Sequence, residues 1–427
     1  MDNILYNVKR LIPGPLFRLL QPPYHYLLAI LGALIYRFPS RDLTVIAVTG
    51  TKGKSTTTEL IAAILAESGH KVASASTIQF RIAEEIHRNL HKMTMPGRFF
   101  LQRFLRQAVE AECKYAVIEM TSEGTKQFRQ KFIALDALVF TNLTPEHIES
   151  HGSFENYKAA KLKIATALAE SKKEPRYIVA NADDEHGADF LATPVEHQLP
   201  YSLSDLDLHT EHKDSVSLVL EGTNLRVPLA GLFNVYNTLA AITITRAYGV
   251  KLPVIEKALK NLAPVKGRVE QIHSPKESER HVTAVVDYAH TLDSLKQLYE
   301  AFPNVHKIGV LGKCGGGRDQ WSAPKMAALA ENACDHVILT DEDPYDDDPR
   351  EIVDHMATGI ENKEKLTIIM DRREAIRKAL EICPDGGYVL ISGKGTDPYI
   401  MRAGGAKEPW SDAEVVREEM SLLFEEK

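Results

Sequence analysis

The sequence predicts an α/β protein: a P-loop-type central domain on a parallel sheet, followed by a Rossmann-like α/β C-terminal domain. Three observations carry this. Short β-branched apolar runs alternate with segments of helical periodicity, the rhythm of strands joined by crossover helices. The runs end in polar or acidic residues, where open α/β sheets place ligands. The rhythm breaks once, between Leu203 and Pro228, and then restarts. The 427 residues suit two to four domains at roughly 150 residues each. Residues 1–43 read as a short apolar and basic segment, 44–266 as the central domain and 267–427 as the second, joined near Pro264 to Gly267.

The elements follow in order. Residues 43–48 (L-T-V-I-A-V) form a buried strand, Thr49 and Gly50 close it, and 55–68 have helical periodicity. Residues 72–74 begin a second strand and 99–113 read as a helix. Runs 115–120 (Y-A-V-I-E-M), 137–142 (A-L-V-F-T-N) and 177–181 are further strands. Alternation at 216–220 and 225–229 marks small antiparallel strands, and 236–247 a helix. Beyond the link, strands are predicted at 283–287, 307–311, 336–340, 366–370 and 388–392, with helices between.

Composition excludes several classes. With 44% hydrophobic and 26% charged residues the chain is neither disordered nor collagen-like. Its 51 Lys and Arg against 58 Asp and Glu leave a net charge of −7, which argues against nucleic acid as a partner. Cys113, Cys314, Cys334 and Cys383 show no C-x-x-C pair and no metal-ligand spacing. No disulfide scaffold is expected, and a reducing cytoplasm fits; a monomer is expected. The apolar stretch 26–36 falls short of the about 20 residues that span a bilayer, and no signal-peptide cleavage site follows it. Lys9, Arg10 and Arg18 precede it, interspersed with prolines. Two readings stand: a helix packed on the body, or an interfacial segment over 24–38 in peripheral contact with an anionic membrane.

Gly50-Thr51-Lys52-Gly53-Lys54-Ser55-Thr56 lies between a strand and a helix. It is G-x-x-G-K-S, a shortened phosphate loop. Glycines let backbone N–H groups turn toward phosphate, and the helix N-terminus adds its positive end. Lys54 can reach the β- and γ-phosphates of a nucleotide, and the Ser55 hydroxyl can ligate Mg²⁺. Such a loop serves GTPases, kinases and ligases alike.

The remaining segments narrow the choice. Glu119-Met-Thr-Ser122 ends a strand; Thr141-Asn-Leu-Thr-Pro-Glu-His147 and His151-Gly-Ser-Phe-Glu-Asn-Tyr-Lys-Ala-Ala-Lys161 follow. Then come Asn181-Ala-Asp-Asp184, Phe233-Asn-Val-Tyr-Asn237, Gly267-Arg-Val-Glu270, Asp287-Tyr-Ala-His290, Gly393-Lys-Gly395 and Ser411-Asp412. This ordered set resembles the Mur ligase family, on its UDP-N-acetylmuramyl-tripeptide synthetase branch, from about residue 43 to the C-terminus. The resemblance implies an ADP-forming ligase of peptidoglycan biosynthesis. ATP phosphorylates a muramyl-peptide carboxylate, and the amine of a free amino acid attacks the acyl phosphate, adding the third peptide residue.

Roles follow residue by residue. Lys54, Glu119, His147 and Lys161 match catalytic positions, and Ser55, Glu119, His147 and, if carbamylated, Lys161 match Mg²⁺ ligands. Gly50 through Thr56, with Asn234, Asn237, Arg268, Asp287 and His290, match ATP-binding positions. Thr94, Thr121, Ser122, Gln127 and Arg129 match the acceptor site, where a peptide carboxylate suits a guanidinium. Met95 stands where the family has a hydroxyl residue, and Glu123 where it has a histidine. Arg318, Asp343, Tyr345, Gly393 and Asp397 match the side that takes the incoming amino acid. Tyr345 replaces the arginine of the D-N-P-R segment that marks diaminopimelate users, and Thr396 replaces a histidine. The acidic loop from Glu342 to Asp348 favours a cationic side chain such as lysine or ornithine.

Family members carry a uridine-gripping front domain, for which 43 residues are too few, so a lipid-linked acceptor brought by the apolar segment is an alternative. Other readings are a folylpolyglutamate-type or cyanophycin-type ligase, and a nucleotide-binding partner subunit without catalysis.

Overall fold

The computed structural model describes residues 14–145, 151–317 and 320–424, with side chains from residue 20. Two compact units divide the chain. The first runs to Ser202 and takes in Leu239–Val254; the second comprises Leu203–Thr238 and the chain from Ile255 onward.

The first unit is built on β1 (Thr44–Thr49), β2 (Val72–Ala75), β3 (Gln79–Ile82), β4 (Glu85–Arg88), β5 (Tyr115–Glu119), β6 (Ala137–Phe140), β7 (Tyr177–Asn181) and β8 (His197–Tyr201). They form one sheet in the order β4-β3-β2-β5-β1-β6-β7-β8. The six from β2 to β8 in that order pair in parallel, and β3 and β4 are an antiparallel hairpin at one edge. Every residue of β5 and β6 is buried, so these strands read as unbroken apolar runs. From β1 the chain steps past β5 to β2; after β5 it crosses to β6 on the other side of β1. That reversal opens a crevice at the C-terminal end of β1. The phosphate-loop helix, Lys54–Glu67, starts there.

The N-terminal helix, Gly14–Ile35, runs 22 residues with Pro22 and Pro23 inside it. Ala29 and Ala33 are buried, and Tyr26 sets its ring edge-on to Phe128 and Phe132. Leu20, Tyr24, Leu27, Leu31 and Leu34 point outward, spaced to form one face. The helix therefore packs on the body with its small residues and carries an exposed apolar stripe as well. No described helix is long and apolar enough to cross a membrane.

The second unit opens with a three-stranded antiparallel sheet of β9 (Leu208–Glu211), β10 (Val216–Leu220) and β11 (Thr223–Val227). The restarted rhythm gives β12 (Glu270–His273), β13 (Thr283–Val286), β14 (Lys307–Leu311), β15 (His336–Leu339), β16 (Leu366–Ile368) and β17 (Tyr388–Ile391), in the order β12-β13-β17-β14-β15-β16. All pair in parallel except β12 with β13. A buried fork closes this unit. Arg372 donates from Nε and Nη2 to the two Asp412 oxygens, each at 2.8 Å, and tethers helix Arg372–Ile382 to helix Asp412–Phe424. Such a pair fixes register, because losing either partner strands a buried charge.

Candidate active site

The phosphate loop is held from three directions. Thr51 N–H donates to Asn142 O and Lys52 N–H to Asn142 Oδ1, both at 2.8 Å. The Thr51 and Tyr157 hydroxyls lie 3.1 Å apart, and Lys161 Nζ donates to Gly50 O at 2.6 Å. Gly50 has φ 151°, and a Cβ there would overlap Thr141 Oγ1, so the close approach of β6 requires glycine. Gly53 starts the helix without a side-chain cap, so no side chain competes for the first N–H groups, the usual seat of a phosphate. Lys54 Nζ rests on Thr51 O at 2.8 Å.

Glu119, at the end of β5, is the hub beside this loop. It is 2% exposed. Its Oε2 accepts from Ser55 Oγ at 2.8 Å and from Thr77 N–H at 2.9 Å, and its Oε1 lies 4.0 Å from Lys54 Nζ. A carboxylate and a hydroxyl meeting beside the loop give the hard-oxygen set that Mg²⁺ prefers, so Ser55 and Glu119 fit the metal. Thr77 extends the network, with its Oγ1 2.8 Å from Thr94 Oγ1.

Glu59 lies one turn further along the same helix, buried, and accepts from Ser76 Oγ at 3.1 Å and Gln79 Nε2 at 2.8 Å. Burial pushes its carboxyl above the ordinary range, against the pull of those two bonds. A raised folded value gives stability that is complete below the unfolded carboxylate range and is lost as pH rises through the raised value. Glu59→Gln removes that loss. Its melting temperature exceeds that of the parent by about 2–4 °C at about pH 8, and by less at about pH 5. An equal gain at both pH values in a thermal melt would contradict this origin.

The residues matched to the acceptor gather on the other side of Thr94. Thr121 caps the turn Ser122–Lys126 by accepting from Gly124 N–H at 3.1 Å, and Ser122 is buried. Met95 is buried, and its sulfur faces the Thr121 N–H at 3.5 Å. The thioether thus fills the place of the hydroxyl rather than leaving a gap. Arg129 donates from Nη2 to Gln127 Oε1 at 2.8 Å and from Nη1 to Met95 O. Glu123, in the family's histidine position, lies 3.0 Å from Nε2 of the buried His151. His147 and Arg318 lie outside the described residues.

In the second unit several of the matched residues follow strand ends. Asp287, after β13, accepts from Val269 N–H at 2.8 Å and Ala289 N–H at 2.7 Å. Arg268 lies over the Tyr288 ring at 4.5 Å, and His290 Nδ1 is 2.8 Å from Tyr288 O. A Cβ on Gly267 would meet Gly395 C at 2.5 Å, so these two loops touch backbone to backbone. Asn234 donates to Ala230 O at 2.7 Å and receives Asn237 Nδ2 on its Oδ1 at 3.0 Å.

After β15 and β17 the acids are largely matched from within. Lys394 Nζ, buried, donates to Asp343 Oδ1 at 2.8 Å and lies 3.5 Å from Asp397. Arg402 pairs with Asp341, and Asp347 accepts from Gly316 N–H at 2.7 Å. Tyr345 takes φ 54° and its ring flanks Gly316, while Gly393 backs onto the Glu342 carboxylate. Cys314, Glu342 and Asp343 place potential ligand atoms within 4.8 Å of one another, but the Lys394 ammonium already supplies the cation there.

Thr77, Asn142, Tyr157 and Lys394 hold these groups, and sequence reasoning did not assign them a role. Asn142, Tyr157 and Lys394 lie within the motifs that carry the family resemblance; Thr77 lies in none.

Comparison with known proteins agrees with this layout. Residues 48–245 match the Mur ligase middle domain and residues 267–395 the Mur ligase, glutamate ligase domain. The UDP-N-acetylmuramoyl-L-alanyl-D-glutamate--2,6-diaminopimelate ligase of Aquifex aeolicus is 35% identical over 390 residues, covering 89% of this chain and 78% of the relative. The chain belongs to the Mur ligase family. Mur ligases are ATP-dependent acid–amino-acid ligases. The UDP-N-acetylmuramyl-tripeptide synthetase of a Roseiflexus species is 34% identical over 438 residues, 96% of this chain and 85% of that Mur ligase. A solved UDP-N-acetylmuramoyl-L-alanyl-D-glutamate--2,6-diaminopimelate ligase superposes with a TM-score of 0.60 at 29% identity, over 89% of this chain and 78% of its own. Mycobacterium tuberculosis folylpolyglutamate synthase, solved with ADP, gives a TM-score of 0.67 over 86% of this chain and 91% of its own, at 15% identity, a likeness of fold.

Proposed function

We propose that this Mur ligase joins a free amino acid, as the third peptide residue, to the carboxylate of a muramyl-peptide acceptor, releasing ADP and phosphate. The observation that carries this reading is one continuous network. It runs from Lys54 and Ser55 through Glu119, Thr77 and Thr94 to Met95 and Arg129. The groups proposed for phosphoryl transfer and the arginine proposed for the acceptor therefore stand a few side chains apart.

In the proposed reaction an oxygen of the acceptor carboxylate attacks the terminal phosphorus of ATP, and ADP leaves. The amine then attacks the acyl carbon, loses a proton, and phosphate departs as the amide forms. Lys54 and the first N–H groups of its helix offset the charge on the transferring group. Ser55 and Glu119 would hold Mg²⁺, which would supply positive charge at the phosphate oxygens. Arg129, with Thr94, Thr121, Ser122 and Gln127, orients the acceptor. We assign Asn234, Asn237, Arg268, Asp287 and His290 to the nucleotide, and Asp343, Tyr345, Gly393, Asp397 and Arg318 to the amino acid. His147 and a carbamylated Lys161 complete the proposed metal set.

The test is ADP release by the purified chain given uridine-linked muramyl-L-alanyl-D-glutamate with lysine, ornithine or diaminopimelate, the product being identified by mass. Release that needs both acceptor and one amino acid supports the reading. Product from tetrahydrofolate and glutamate instead would replace it with the folylpolyglutamate alternative.

The outward stripe on helix Gly14–Ile35, with Arg37 and Arg41 after it, supports peripheral contact with an anionic bilayer. Intact protein is expected to cosediment with vesicles of phosphatidylglycerol and to stay in the supernatant with phosphatidylcholine. Leu27→Glu with Leu31→Glu abolishes the first result. Equal binding by parent and double variant would contradict it.

A further inference from the structure

Beside Arg129 stands a second arginine that the acceptor set does not include. Arg98 opens helix Arg98–Glu110, directly after Thr94-Met95-Pro96-Gly97. Its Nε donates to Gln127 O at 2.9 Å, while Arg129 Nη2 donates to Gln127 Oε1 at 2.8 Å. Two guanidinium groups thus converge on one residue, and every acceptor they touch among the described residues is uncharged or a thioether sulfur. Arg98 Nη2 and Arg129 Nε are buried without an acceptor. The nearby acid, Glu123, is engaged with Lys126 at 3.3 Å and His151 at 3.0 Å. Burial, and then the charge of Arg129, lower Arg98 to about 10. Burial also lowers Arg129, with Glu123 opposing.

Two half-buried like charges with unused donors are costly unless an anion joins them. Arginine cannot escape by losing its proton at neutral pH. Planar guanidinium donors suit an oxyanion with two acceptor atoms.

We infer that Arg98 joins Arg129 in one oxyanion site, so that two guanidinium groups rather than one hold the acceptor carboxylate that does not react. This rests on the ligase reading for its substrate, since the reacting carboxylate must lie at Lys54 and Glu119, beyond Thr94. The second guanidinium makes this site discriminate for charge as well as for shape. An acceptor whose remote carboxylate is capped as a carboxamide leaves both buried donors unmatched.

Two arms test it. In the first, KM and kcat are measured with the carboxylate acceptor and with its α-carboxamide. Arg98→Gln raises KM for the carboxylate acceptor about 10- to 100-fold and leaves kcat within about 2-fold. Arg98→Lys recovers part of the loss. The parent handles the carboxamide poorly, and Arg98→Gln handles it no worse. In the second arm, no turnover is needed. Glutarate raises the melting temperature of the parent and not that of Arg98→Gln, and inorganic phosphate does so less. The ligand-free variant melts within about 2 °C of the parent, because relief of the like-charge repulsion offsets the lost bond to Gln127 O. A merely structural arginine would instead lower that melting temperature and weaken both acceptors equally, and that result overturns the proposal. Glutarate protection that survives Arg98→Gln, or protection by phosphate alone, overturns it too. If no acceptor gives product, the ligase reading fails while the melting arm still decides the anion site.

Discussion

Lys54→Ala lowers kcat for amide formation by about 1,000-fold while the protein stays folded. The ammonium bonds Thr51 O at 2.8 Å and lies 4.0 Å from Glu119. Its side chain is 15% exposed, so its removal strips the hydrogen bond to Thr51 O and little core, and that bond is worth about 1 kcal/mol. The catalytic cost is larger because the charge acts where phosphoryl oxygens gain electron density. Single preorganised donors at such places are worth about 10²–10³ in rate, and a full cation sits at the upper end. Single-turnover ADP formation measures this directly, with a thermal melt as the control for folding. A kcat within about 10-fold of the parent would place the phosphoryl transfer elsewhere.

Lys161→Ala acts through the loop and costs about 100-fold in kcat, together with a loss of several degrees in melting temperature. Lys161 is 2% exposed, donates to Gly50 O at 2.6 Å and has its Nζ 4.8 Å from the Tyr157 ring centroid. Truncation leaves a cavity under the phosphate loop and frees the Gly50 carbonyl, whose position sets the N–H groups after it. Added ions read the charge that the position carries. Rescue by ethylammonium assigns the amine at Gly50, and rescue by acetate assigns the carbamate implied by the family resemblance. An unchanged kcat would remove Lys161 from the machinery.

Much of this was legible in the chain because strand ends and phosphate loops are local. The L-T-V-I-A-V run became β1 with a shift of one residue, and G-x-x-G-K-S lies at the crevice after it. Glu119 was readable as an acid closing an apolar strand. What escaped depends on contacts between distant residues or on weak local signals. β3 and β4 are short, with Q-F-R-I and E-I-H-R lacking a buried run, and β8 carries Pro200 at the sheet edge. Thr77 belongs to no motif, yet it reaches Glu119 across 42 positions. The helix over Pro22 and Pro23 defied the usual reading of proline as a breaker. The acidic loop after β15 reads as open negative charge, but Asp343 is joined to Lys394 across 51 positions. The negative charge that this loop offers a ligand is therefore smaller than its letters suggest.

The most direct measurement follows oxygen from the acceptor into phosphate. The acceptor carboxylate is labelled with heavy oxygen, turned over with ATP and the chosen amino acid, and the released phosphate is weighed by mass spectrometry. Ligation through an acyl phosphate moves one labelled oxygen into phosphate for each amide formed. Amide with unlabelled phosphate, or phosphate released without acceptor, would contradict activation of the carboxylate at Lys54, Ser55 and Glu119.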